Sequence, residues 1–171
     1  MPFNNKTEVQ KSEVIDYVNK NVGKNGGDDT KSFLIRRIHS SLSCYSADGN
    51  YEDITSLHLI NRCKIAVDHI YFPFGLQSCW ISVIDISCRL RKLGGPKAVY
   101  ENTGYDDQTK EWYKRVDCLI NEFDNIDLVA HPLIIEEDSS GYEIIDGCHR
   151  VLAKILKDGT DFKFKVFILK H

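Results

Sequence analysis

Tyr142-Glu143-Ile144-Ile145-Asp146-Gly147-Cys148-His149-Arg150-Val151-Leu152-Ala153-Lys154 is the stretch that decides the fold. Its opening residues are aromatic or β-branched around one carboxylate and read as a strand. Further on, Val151, Leu152, Ala153, Ile155 and Leu156 anchor a helix over Cys148 to Lys157, and Asp158-Gly159 stops it. Between the two, Asp146-Gly147 must turn the chain sharply, which glycine allows because it carries no Cβ. A helix starting at such a turn has backbone N–H groups without internal partners, and its dipole adds partial positive charge there. Negative oxygens, those of a phosphate above all, suit that corner. His149 and Arg150 stand in the first turn and can add charge-assisted hydrogen bonds, the arginine bidentately. The competing interpretation is a plain strand–turn–helix whose polar residues only cap and solvate.

Working outward, Pro132-Leu133-Ile134-Ile135-Glu136 and Tyr142 to Ile145 form a hairpin across the polar turn Asp138-Ser139-Ser140-Gly141. Phe162 to Leu169 is a closing strand, and Asp107 or Thr109 caps a helix running to about Phe123. Trp80 to Ile86 alternates and is β-branched, which predicts an opening strand; Gly94-Gly95-Pro96 and Asn102-Thr103-Gly104 predict a long loop after it. Residues 80–171 therefore read as one compact α+β module with a small mixed sheet. Residues 1–79 read as a mainly helical extension. It has a short helix around Val14 to Val18 and a second over Ser32 to Ser43. A turn follows at Cys44 to Asn50, then a third helix over 52–70, ended by Tyr71-Phe72-Pro73-Phe74-Gly75.

With 171 residues, 42% of them hydrophobic and 27% charged, the chain has the balance of a soluble globular protein. A net charge of −3 argues against indiscriminate coating of nucleic acid, which needs a surplus of Lys and Arg, though a local basic patch stays open. No two of the six cysteines are spaced C-x-x-C, and Met1 to Lys6 has no apolar signal region. Without an apolar run of membrane length, the expectation is a cytoplasmic protein with reduced thiols and no membrane partner.

The run Tyr142 to Lys154 resembles the signature of the ParB/sulfiredoxin superfamily: hydrophobic strand, glycine, one variable residue, His or Arg, then Arg, then an alanine-containing helix. His131-Pro132-Leu133-Ile134-Ile135 resembles the family's proline-led strand, Trp80 to Ile86 its opening strand and Lys163 to Leu169 its closing one. The resemblance implies a nucleotide-binding protein using ATP, ADP or CTP with Mg²⁺, acting in phosphoryl transfer or nucleotide hydrolysis. The acceptor, a small molecule or a protein, is left open. It places Gly147, Cys148, His149 and Arg150 at the phosphates, with Lys114 or Arg115 near a nucleotide-binding lysine of sulfiredoxins. Cys148 falls where sulfiredoxins keep a catalytic cysteine, and Asp146 is shared with free serine kinases. Because the superfamily also includes nucleases and DNA-binding regulators, nucleic acid is the alternative partner; a fold-retaining interaction protein without chemistry is the third alternative.

Each candidate keeps a bland counterpart. Cys148 is a nucleophile activated by the helix start, or a variable position that happens to hold cysteine. His149 is a phosphate ligand or acid–base group, or a structural histidine. Arg150 grips phosphate, or pairs with Glu143 or Asp146. Asp146 takes a substrate proton or binds a phosphate-bridging metal, or caps the helix. Lys114 and Arg115 belong to the site or to a solvated helix face, and Arg89, Arg91 and Lys92 reach phosphates, nucleic acid or nothing. His131, Cys118 and Cys148 lack the paired short spacing of zinc ligands, so no metal site is assigned.

Overall fold

The computed structural model describes residues 2–23, 27–60, 80–101, 104–105 and 107–171. In chain order these form β1 (Thr7–Val9), α1 (Lys11–Asn21), α2 (Gly27–Ser40), β2 (Ser43–Gly49), α3 (Tyr51–Thr55), β3 (Leu57–Ile60) and β4 (Trp80–Ser82). There follow α4 (Val83–Leu93), α5 (Pro96–Tyr100), α6 (Asp107–Glu122), β5 (Leu133–Asp138), β6 (Gly141–Asp146), α7 (Cys148–Asp158) and β7 (Phe164–Lys170). The strands make one mixed sheet in the order β1-β2-β7-β5-β6-β3-β4. β5 lies parallel to β7 and β6 parallel to β3, while the remaining neighbours are antiparallel. The class is α+β, as the order of elements predicts. No helix among the described residues is long and apolar enough to cross a membrane.

Side-chain alternation explains the layering. Phe164, Val166 and Ile168 of β7 join the larger core with Leu133 and Ile135, beneath residues of α3, α4, α5, α6 and α7. Phe167 and Leu169 point the other way and join Ile134 against Val14, Val18, Leu34 and Ile38 of α1 and α2. From Val166 to Leu169 the strand is buried on both faces and has no polar face to show, which is why the alternating charge at its start gives way to four apolar residues.

Several expected elements take other forms. Cys44 to Asn50, expected as a turn, holds β2, paired along its length with β7. Its turn-like glycine has a packing reason: a Cβ on Gly49 would lie 2.2 Å from the Phe164 ring. The helix expected over 52–70 is short. Asn50 and Asp53 form a capping box that starts α3, Ser56 ends it and β3 follows; 61–70 and Tyr71 to Gly75 lie outside the described residues. The strand expected over Trp80 to Ile86 stops at Ser82, whose hydroxyl accepts the Asp85 N–H at 3.1 Å and caps α4. Val83, Ile86 and Leu90 then bury a helical stripe that the local alternation hides. The long loop contains α5, begun by Pro96. The region expected as a mainly helical extension supplies β1, β2 and β3 to the same sheet, so a boundary at 79/80 crosses it.

The first residues are tied into the larger core. Phe3 is 2% exposed at a left-handed φ of 56°, and its N–H donates to Asp53 Oδ1 at 2.7 Å. Its ring meets Tyr142 and Phe164 edge-on at 5.3 and 6.2 Å. Lys6 Nζ donates to Glu137 and to the Tyr142 hydroxyl, both at 2.9 Å. Replacing Phe3 by Ala is expected to cost about 3–5 kcal/mol by denaturant titration, the usual range for emptying an aromatic site. A loss below about 1 kcal/mol would mean the segment is an accessory.

Candidate functional site

At the end of β6 the chain passes through Gly147 at φ 101° and ψ 11°, then enters α7. That φ is strained for any residue with a Cβ. There is no room for one either: it would lie 2.4 Å from Leu133 Cδ2 and 3.0 Å from Arg150 Nη2. The first helical bond runs from the Val151 N–H to the Gly147 carbonyl at 3.0 Å, and no side chain caps α7.

Asp146 therefore does not cap the helix. Its carboxylate accepts Arg150 Nη2 at 3.1 Å and is also hydrogen-bonded by the Gly147 backbone. Burial pushes its pKa up, with Arg150 working in the opposite direction. Of the two ion pairs foreseen for Arg150, the one with Asp146 forms. Arg150 Nη1 donates to the His131 carbonyl at 2.5 Å. Tyr17 of α1 completes this side: its hydroxyl donates to the Pro132 carbonyl at 3.1 Å. Burial raises the Tyr17 pKa and the nearby guanidinium lowers it. Arg150 is thus committed to bracing the turn.

His149 faces another neighbour. Its ring centroid is 4.3 Å from that of Trp112 on α6, with the planes inclined by 36°. Nε2 is buried and has no hydrogen-bond partner among the described residues. Burial first, then Arg115, then Arg150 lowers its pKa to about 4, so the imidazole is uncharged at neutral pH. The structure brings Arg115 to this corner. Lys114, the other candidate on α6, acts on Cys118 instead. Both cations are exposed, and neither forms an ion pair among the described residues.

Cys148 is half-buried, and its thiol donates back to the Ile144 carbonyl at 3.5 Å. Arg91 ties α4 to α7 by donating to the Ile155 carbonyl at 2.6 Å, which gives it a structural use. Among the described residues no three His, Cys, Asp or Glu side chains gather for a metal ion. Trp112 and Tyr17 are the participants that inspection of the sequence missed. Trp112 carried one signal: it precedes Arg115 by three residues, so both share a stripe of α6.

No family model, curated protein or solved structure matches this chain. A left-handed glycine opens a helix, a braced arginine fixes the turn, and burial together with Arg115 and Arg150 keeps the imidazole neutral.

Two outcomes follow. Gly147→Ala is expected to cost at least about 1–3 kcal/mol, the range for a strained backbone, before the Leu133 clash is added. Denaturant titration checks it. His149 has a folded pKa of about 4 against 6.5 for the free side chain, so the unfolded chain takes up the proton first. Its contribution is whole above pH 6.5 and is lost as pH falls toward 4, a change on the order of 3 kcal/mol. Stability curves of wild type and His149→Gln should converge over that window; parallel curves would refute the assignment.

Proposed function

We propose that the β6–α7 corner is the phosphate site of a nucleotide-binding protein similar to the ParB/sulfiredoxin superfamily, acting in phosphoryl transfer or nucleotide hydrolysis. The observation that carries this is the conjunction at Gly147: a left-handed glycine opening α7, with His149 in the first turn under the positive influence of both Arg115 and Arg150. The motif Asp146-Gly147-Cys148-His149-Arg150 supplies the resemblance, and the hairpin before it and the strand after it agree with that likeness. Two departures from sulfiredoxins stand: Leu133-Ile134-Ile135 is apolar where they carry an acidic residue, and Asp146 precedes the Gly147-Cys148-His149-Arg150 tetrad where they have a second glycine.

Roles divide between the side chains. Arg115 is the cation available to phosphate oxygens, assisted by the positive end of α7. Arg150 holds the turn through Asp146 and the His131 carbonyl, contributing its charge at longer range. With Nε2 sealed, Nδ1 of the neutral His149 ring is the atom left to take a proton from an attacking hydroxyl or water as the new P–O bond forms, the nucleotide's terminal P–O bond breaks and the shortened nucleotide departs. Phosphate charge beside it offsets the two arginines and raises its affinity for that proton. Since no three His, Cys, Asp or Glu side chains gather among the described residues, Mg²⁺ would be held chiefly by the nucleotide's own oxygens.

Calorimetry with ATP, ADP and CTP in the presence of Mg²⁺ tests the assignment. At least one should bind, and Arg115→Ala and His149→Ala should each weaken it by about tenfold or more, equal to about 1.4 kcal/mol. Absence of binding by all three nucleotides would remove the phosphate site. Arg150→Ala is a poorer probe, because it also dismantles the turn.

A further inference from the structure

We propose that Trp112 is a positioning residue for His149, fixing the orientation of the imidazole at the β6–α7 corner and shielding it from water. The proposal rests on the nucleotide site described above and adds to it a residue from another helix. The two rings lie 4.3 Å apart at an inclination of 36°, so one face of the imidazole is covered by indole. Trp112 is itself held, since the ring of Tyr113 meets it edge-on at 4.9 Å and 73°, and Tyr113 is fully buried. Helical spacing puts Trp112, Arg115 and Val116 on neighbouring positions of α6; Val116 is buried in the core, which sets the rotation of that stripe.

Nε2 of the same ring is sealed from water and has no partner among the described residues. A buried polar atom left in that state is costly, so it persists only where surrounding packing allows the ring no alternative. The charged groups acting on the ring are Arg115 from α6 and Arg150 from α7. Asp146, at the end of β6, is paired with Arg150. With the indole excluding water and two cations nearby, His149 stays neutral until an anion arrives. Trp112 thereby links ligand binding to proton uptake by a residue it touches only through ring packing.

The test is a pH titration of the His149 ring by NMR on the full chain, for wild type, Trp112→Ala, Trp112→Leu and Trp112→Phe. The wild-type midpoint should fall near 4. Trp112→Ala and Trp112→Leu should raise it by about one pH unit or more toward the free value, and Trp112→Phe should restore it. ATP affinity should fall by about tenfold in Trp112→Leu and return to within about threefold of wild type in Trp112→Phe. A midpoint unchanged in Trp112→Leu, which keeps apolar bulk without a ring, overturns the proposal even if Trp112→Ala fails to fold. If the midpoints move as expected while wild type binds no ATP, ADP or CTP, the positioning role stands and the phosphate site falls.

Discussion

At residue 147 a Cβ is missing, and two other groups use the space. Leu133 Cδ2 packs against the turn from the neighbouring strand, and the Arg150 guanidinium folds back beneath it. From there Arg150 reaches the Asp146 carboxylate and the His131 carbonyl, joining the end of β6 to the approach to β5. A charge-assisted bond to a half-buried carboxylate is stronger than a neutral one. It fixes the direction in which α7 leaves the sheet, and with it the position of every residue in the first turn.

That brace divides the labour of the two residues in the motif. His149 and Arg150 are adjacent on a helix and so project to different sides. The arginine looks toward Asp146, His131 and Tyr17, and the histidine toward Trp112 and Arg115. A cation that holds architecture has fewer donors left for a ligand. The more available positive charge therefore comes from α6, and the imidazole stays uncharged because burial and both arginines disfavour its proton. A neutral imidazole has no charge of its own with which to clamp an anion, and it gains a proton only where something offsets the two arginines.

The front of the chain belongs to the same construction. β2 lies along the whole of β7, Phe3 packs onto Phe164 and Tyr142, and Tyr17 bonds the Pro132 carbonyl beside the guanidinium. Apolar surface on both faces of β5 and β7 needs two covering layers, and α1 and α2 supply the second.

By itself the sequence determined the local units whose residues agree with one another. Gly147 between an apolar strand and an amphipathic helix specifies the β6–α7 turn, Asp138 to Gly141 specifies the hairpin, and Trp112, Val116 and Leu119 mark α6. Where local signals conflicted with distant partners, only the tertiary structure decided. Cys44 to Gly49 has turn-like composition, yet it becomes a strand because β7 offers a full ladder and Phe164 fills the space above Gly49. Val83 to Ile86 alternates like a strand, yet Ser82 caps a helix whose apolar stripe enters the core. At the candidate site the residue types were legible and their roles were not. Which neighbour Arg150 braces, and which ring covers His149, depend on segments far away in the chain, and side-chain chemistry at one position carries no record of what will be packed against it.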